Sequence, residues 1–126
     1  MKLHHSERAP AAIGPYSQAV SCDGWLFTSG QVALVPETGE MAGPDFTTQA
    51  HQVLANLRAV LATAGCGPAD VVKATIYLAD FADFAELNQL YGDFMGDHRP
   101  ARSTVQVAAL PKAALLEIDF VARIPR

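Results

Sequence analysis

Two charged residues break the apolar pattern in the C-terminal part of the chain. Arg102 follows Pro100 at the start of a polar/apolar alternation, and Glu117 lies inside a second alternating segment. A guanidinium offers a planar fork of donors that grips a carboxylate with two parallel hydrogen bonds. A carboxylate beside it can orient water or move a proton. Both residues also have an ordinary interpretation, Arg102 in a surface salt bridge and Glu117 on a solvated strand face shared with Asp119.

Four further residues are candidates on weaker grounds. Asn88 lies on the apolar stripe of a helical segment, where its amide either hydrogen-bonds to backbone or faces a pocket or a partner chain. Tyr16 and Ser29 adjoin backbone rich in glycine and proline, which a ligand can approach closely. Ser29 and Gly30 together offer a hydroxyl and exposed peptide groups at a strand end.

Several other chemistries lack their motifs. The sequence contains no G-x-S-x-G, phosphate loop or metal motif, and its two cysteines form no CxxC. No metal site is therefore expected. The four histidines form no recognisable pair, and His51 reads as a solvated helix residue.

Length and composition predict one domain over residues 1–126. Apolar residues make up 50% of the chain and charged residues 17%, which is typical of a globular protein. The net charge is −4 and the basic residues are scattered, which argues against a nucleic-acid surface. The N-terminus lacks the apolar run of a signal peptide, and no segment has the ~20 apolar residues of a membrane span. We therefore expect a cytoplasmic protein with reduced thiols.

The elements that must position these residues begin with a hairpin. Residues 9–16 contain two prolines and a glycine, which predict an irregular loop. Residues 17–22 and 25–29 read as strands, and the Asp23-Gly24 pair between them is a strong hairpin signal.

Two helices flank a buried strand. Apolar residues at helical spacing predict a helix over 46–64 with Asp45 as its N-cap. Residues 71–79 are rich in β-branched and aromatic side chains and read as a buried strand. A second helix is expected over 82–95, with Asp80 as its cap.

The C-terminal part adds two more strands, over 102–108 and 115–123. Two helices and about five strands, with the helices on one side of the sheet, define an α+β domain. Paired as a symmetric hairpin, the last two strands would give the cross-strand neighbours Thr104–Glu117 and Arg102–Asp119.

Seven short segments carry a family resemblance over nearly the whole chain. They are APAAIGPYSQA at 9–19, FTSGQ at 27–31, VKAT at 72–75, NQLY at 88–91, PARS at 100–103, LPK at 110–112 and EI at 117–118. In this order and spacing they closely resemble the RidA/YjgF family of reactive-intermediate deaminases.

The resemblance implies a fold, an assembly and a reaction. The fold is chorismate-mutase-like, with a mixed sheet and two helices on one face, in a homotrimer whose sites lie in clefts between subunits. The reaction is hydrolysis of 2-aminoacrylate-type enamines, or their imine tautomers such as 2-iminobutanoate, to 2-keto acids and ammonia. The substrates would be released by pyridoxal-phosphate enzymes, and the protein itself would need no cofactor.

The resemblance also assigns roles. Arg102 matches the arginine that holds the substrate carboxylate, and Glu117 matches the glutamate that handles water. Many members carry cysteine two residues after the arginine, and this chain has Thr104 instead, so a thiolate has no role there. The implied substrate-binding residues are Arg102, Tyr16, Ser29, Gly30, Asn88 and Thr104.

Two rival functions remain open. Some relatives are described as endoribonucleases or translation inhibitors, although the acidic charge and the missing histidine pair argue against that activity here. A regulatory module that binds small carboxylates without turnover would use Arg102 equally well, whereas Glu117 favours catalysis.

Overall fold

The chain folds as a six-stranded sheet with two helices on one face, in a computed structural model that describes all 126 residues. The helices are α1 (Phe46–Ala62) and α2 (Phe84–Met95), and neither is long and apolar enough to cross a membrane. The strands are β1 (Lys2–His4), β2 (Ala19–Cys22), β3 (Trp25–Thr28), β4 (Val71–Leu78), β5 (Ala101–Gln106) and β6 (Leu116–Arg123).

The strands lie in the order β1-β2-β3-β6-β4-β5. Only β4 and β5 pair in parallel, so the sheet is mixed and the α+β prediction is confirmed. On β4 and β6 every second side chain is buried, because it faces the helices across the core. The other face of the sheet, which we call the open face, carries half-buried and exposed side chains.

Helix α1 is placed as its sequence predicts. The Asp45 side chain accepts a hydrogen bond from the Thr48 N–H at 3.0 Å, and the apolar face is buried. The helix ends at Ala62, two residues before the predicted end. The chain then leaves the helix through Gly65, whose φ of +72° suits a residue without a Cβ.

Helix α2 begins later than the sequence predicts. Asp80 does act as a cap, but its carboxylate accepts from the Ala82 N–H at 2.8 Å to begin a 3-10 turn over Phe81–Asp83. The α-helix follows only at Phe84. Two consecutive helical turns of different pitch explain the difference of two residues.

The N-terminal hairpin is confirmed, and one strand is added to it. Asp23 and Gly24 have φ of 53° and 84°, as a tight hairpin turn requires. Strand β1 was not predicted. It has three residues and pairs antiparallel with β2 at the edge of the sheet.

The predicted C-terminal hairpin is wrong. Strand β6 lies between β3 and β4, and β5 pairs in parallel with β4. The physical reason is burial, since β6 alternates fully buried apolar residues and needs neighbours on both edges, whereas β5 is largely exposed and suits an edge. The proposed cross-strand neighbours of β5 and β6 are accordingly not neighbours.

A buried amide fixes the segment that leads from β3 to α1. Asn56 is fully buried on α1, and its side-chain N–H groups donate to the carbonyls of Val32 at 3.4 Å and Leu34 at 2.9 Å. Its oxygen accepts from Gln52 Nε2 at 2.8 Å. These bonds add side-chain donors to a stretch whose backbone pairs only through isolated bridges, such as Leu34 with Met41.

Substitution of Asn56 tests how much its hydrogen bonds contribute to the free energy of unfolding. We expect Asn56→Ala to lower the free energy of unfolding by about 2 to 4 kcal/mol, because it leaves a cavity and removes the side-chain donor of the Leu34 carbonyl. Urea denaturation followed by circular dichroism measures the change. The matched control is His51→Ala on the exposed side of the same helix, which should stay within about 0.5 kcal/mol of the parent. Equal stability of all three proteins would contradict the assignment.

Candidate functional site

Arg102 is a half-buried cation without an ionic partner. It lies on β5 opposite Ala74, so its side chain points toward α2. The guanidinium carbon lies 5.1 Å from the ring centroid of Tyr91 and 5.7 Å from that of Phe84. The single salt bridge of the chain lies elsewhere. Two aromatic faces therefore hold the guanidinium, and no carboxylate of the chain neutralises it.

A cleft of about 390 Å³ opens beside this guanidinium. We call it the Arg102 cleft. Two of the candidate residues from the sequence, Arg102 and Asn88, line this cleft together. No acidic side chain lines it. Its lining residues are Asn88, Tyr91, Gly92, Arg99, Pro100 and Arg102.

Two hydroxyls near Arg102 are buried without hydrogen-bond partners. Thr104 follows on the same side of β5, and its Oγ1 has no partner. The Tyr91 hydroxyl also has no hydrogen-bond partner, and Tyr91 is only 6% exposed. Burial raises the pKa of Tyr91, and the positive charges of Arg102 and Arg99 oppose that rise. Buried polar groups without partners are rare, and each one calls for an explanation such as a bound water, an ion or a catalytic role.

Glu117 lies on the open face of the sheet, beside the segment that follows β3. Gln31 and Ile118 exchange backbone hydrogen bonds of 2.8 and 3.1 Å, which brings Gly30 against Glu117. A methyl group at position 30 would lie 2.7 Å from Cδ of Glu117. Glycine is therefore the residue that leaves room for this carboxylate.

The surroundings of Glu117 favour its protonated form. Burial, and then the negative charge of Asp119, raise the pKa of Glu117 above its ordinary value. Burial also raises the pKa of Asp119, although a hydrogen bond from Tyr77 and the charge of Lys73 oppose the rise. A carboxylate with a raised pKa is suited to accept and return protons near neutral pH.

Tyr16 and Ser29 occupy different settings. Tyr16 is 51% exposed on the N-terminal loop. That loop is held by Gln18, whose amide donates to the carbonyls of Ser6 at 3.1 Å and Pro10 at 2.8 Å. The Ser29 hydroxyl donates to the carbonyl of Ser17 at 2.6 Å, so it fastens the loop end to the strand.

The expected closeness of Arg102 and Glu117 within one chain is wrong. The side chain of Arg102 points to the helix face, and that of Glu117 points to the open face, with β4 between the two strands. The sheet thus separates the predicted site into a cationic half at Arg102 and a carboxylate half at Glu117. One small ligand cannot touch both groups of the same chain.

Sequence reasoning missed two residues of the Arg102 cleft. Tyr91 falls at helical spacing among the apolar residues of α2, and its ring does pack in the core, but its hydroxyl is unpaired. Arg99 precedes the PARS segment by one position, and its only sequence signal was a second positive charge three residues before Arg102.

Comparisons with known proteins decide the family. The family described as Endoribonuclease L-PSP matches residues 6–124. A RutC family protein of Synechocystis is 50% identical, over 99% of this chain and 98% of that protein. The chloroplastic Reactive Intermediate Deaminase A of Arabidopsis thaliana is 46% identical, over 93% of this chain and 63% of that protein. The chain belongs to the RidA family.

Solved structures agree with this assignment to the RidA family. The crystal structure of Escherichia coli TdcF with bound serine is 42% identical and covers 98% of each chain, with a TM-score of 0.93. The chorismate-mutase-like fold class expected from the resemblance is thereby confirmed. The names of the relatives support a deaminase activity in general terms.

The close packing of Gly30 against Glu117 allows a test of whether the position of the Glu117 carboxylate matters for activity. In Gly30→Ala the new methyl group displaces the flexible end of Glu117 rather than backbone, so we expect the fold to persist. A misplaced catalytic group commonly costs about a hundredfold in rate. If Glu117 acts in the deaminase reaction, kcat/KM should therefore fall by about ten- to a hundredfold in this variant. Thermal unfolding and steady-state kinetics measure the two effects.

Gly67→Ala is the matched control for Gly30→Ala. No atom lies within 4 Å of the methyl group it adds, and its φ of −128° suits any residue. We expect parental activity in this variant. Parental activity in Gly30→Ala as well would show that the position of Glu117 is unimportant.

Proposed function

We propose that the protein hydrolyses reactive 2-imino acids, such as 2-iminobutanoate and the imine of 2-aminoacrylate, to 2-keto acids and ammonia. The observation that carries this proposal is the unpaired guanidinium of Arg102, held between two aromatic rings in a cleft without acidic residues. Such a fork suits the carboxylate that these substrates share. The deaminase names of the relatives support the same reaction class.

For this reaction the protein needs to supply only the positioning of the substrate and a group that transfers protons. The carbon of a protonated imine is already electrophilic, and Arg102 fixes it by binding the adjacent carboxylate. Glu117 accepts a proton from water as the water oxygen bonds to this carbon and the C=N electron pair moves to nitrogen. The carbinolamine then gains a proton on nitrogen and loses one from its hydroxyl. Its C–N bond breaks to release ammonia and the keto acid.

This mechanism requires a second copy of the chain. Since Arg102 and Glu117 of one chain point to opposite faces of the sheet, Glu117 would come from a neighbouring subunit of the homotrimer that the family resemblance implies. The open face supports assembly, because Leu3, Phe27 and Val105 are 66%, 49% and 45% exposed on the same side as Glu117. Apolar surface of this kind is normally covered by a partner.

A coupled assay tests the reaction and the two roles. A serine or threonine dehydratase generates the imine, and keto-acid release is followed with and without the protein. We expect Arg102→Ala to lose detectable activity and Arg102→Lys to regain little, because ammonium lacks the planar fork. The loss of a charge-assisted contact corresponds to about ten- to a hundredfold in kcat/KM. Glu117→Gln should lose turnover but still bind 2-ketobutyrate.

The matched controls for this assay are Arg8→Lys and Glu40→Gln. Both residues are exposed and lie outside the Arg102 cleft and the surroundings of Glu117, so both variants should keep parental kinetics. Full activity in Arg102→Ala and Glu117→Gln would place the site elsewhere. Keto-acid binding without any turnover by the parent protein would instead indicate a carboxylate-binding module.

Mixed oligomers test whether two subunits share each site. Arg102→Ala and Glu117→Gln chains with different tags are co-expressed, and oligomers carrying both tags are isolated. If each site takes Arg102 from one subunit and Glu117 from its neighbour, every trimer that carries both tags regains about a third of its sites, because one of its three subunit pairs joins two unchanged groups. Either variant alone stays inactive. Absence of recovery in oligomers of proven mixed composition would refute the shared arrangement.

Ribonuclease activity fits the site less well. Hydrolysis of RNA without a metal usually relies on a pair of acid and base groups around a phosphate, and the histidines of this chain do not form one. His4 hydrogen-bonds to Ser21 and His98 to the carbonyl of Val71. RNA cleavage that persisted through purification and disappeared in Arg102→Ala would reverse this preference.

A further inference from the structure

A second guanidinium lines the Arg102 cleft. We propose that Arg99 makes this cleft selective for 2-imino and 2-keto acids that carry a second carboxylate. This inference rests on the proposed function, because it takes Arg102 as the group that binds the first carboxylate. It adds a specificity-determining residue and a preference for dicarboxylates within the proposed class of 2-imino and 2-keto acids.

The backbone after α2 holds Arg99 in the cleft wall. Its Nη1 donates to the carbonyl of His98 at 2.8 Å and also to the carbonyl of Gly96. Gly96 ends the helix with a φ of +65°, which turns the chain back toward β5. One nitrogen of the guanidinium is thus fixed by backbone, and the other two remain free to donate to an anion.

The charges around the cleft are one-sided. Arg99 and Arg102 both line it, no acidic side chain does, and neither arginine has an ionic partner in the chain. In a protein of net charge −4, this leaves a local excess of two positive charges. A monocarboxylate neutralises one of these charges, whereas a dicarboxylate neutralises both.

Tyr91 gives independent support for a ligand in this place. Its side chain is 94% buried in the cleft wall, and its hydroxyl has no hydrogen-bond partner. Both arginines are near enough to act on its ionisation. A hydroxyl donor within the field of two cations is suited to an anionic oxygen.

The size of the cleft agrees with such a ligand. Its volume of about 390 Å³ lies within the usual range for small-molecule sites. A three- or four-carbon monocarboxylate would leave much of it to water. A four- or five-carbon dicarboxylate can place one carboxylate at Arg102 and extend the other toward Arg99.

Binding of two ligands of equal chain length tests the proposal. Isothermal titration calorimetry compares 2-ketoglutarate with 2-ketovalerate, which has one carboxylate, on the parent protein and on Arg99→Gln. We expect the parent to bind the dicarboxylate about tenfold more tightly. Arg99→Gln should lose this preference and keep its affinity for the monocarboxylate. Arg8→Gln, which removes an exposed charge outside the cleft, should change neither.

Turnover of a monocarboxylate imine in the coupled assay separates this inference from the proposed function. Equal affinities of the parent for both ligands, or equal losses for both in Arg99→Gln, would overturn the role of Arg99. Continued turnover of 2-iminobutanoate in that case leaves the proposed function standing. If the parent protein prefers the dicarboxylate and Arg99→Gln does not, but the parent turns over no imine, the result would support Arg99 as a selectivity residue and refute the hydrolytic function.

Discussion

Strand β6 lies in the centre of the sheet, and its two-residue alternation divides the molecule into two chemical faces. Leu116, Ile118, Phe120 and Ala122 are buried beneath the helices, so Glu117 and Asp119 must point the other way. The same apolar run requires β6 to be paired on both edges. Strands β3 and β4 occupy those two edges, so β5 pairs with the far edge of β4. A shift of one residue would bury two carboxylates among apolar side chains, and the cost of that burial fixes the register.

The separation of Arg102 from Glu117 follows from this arrangement. Parallel pairing with β4 puts Arg102 in line with Ala74, on the face that the helices cover. There the aromatic rings of α2 screen the guanidinium from bulk water, which strengthens its attraction for an anion. On the open face Glu117 lies near Asp119, and burial together with this second negative charge raises the pKa of Glu117. A single fold thus places an unpaired cation and a carboxylate of raised pKa in two separate environments, on opposite faces of one sheet.

The sequence predicts those parts of the fold that local patterns control. The periodicity of α1, the Asp45 cap and the Asp23-Gly24 turn depend on near neighbours, and all three appear in the structure. Strand partners depend on contacts between distant segments, and alternation alone does not identify them. The parallel pairing of β4 and β5 and the short edge strand β1 were missed for that reason. The candidate site residues are singled out by their types and positions, and the resemblance adds roles to them. The face of the sheet that each one occupies was not predictable, because it depends on the pairing.

The loop that carries Tyr16 is held at its end by the side chains of Gln18 and Ser29. Gln18 is 2% exposed, and besides its three donated bonds its oxygen accepts from the Ser6 N–H at 2.6 Å. Residues 11–16 are exposed and bury little apolar surface of their own. Exposed segments that bury little apolar surface open at a small fraction of the free energy needed to unfold a core. We therefore expect the amide hydrogens of the loop around Tyr16 to exchange faster than those of the sheet beneath it.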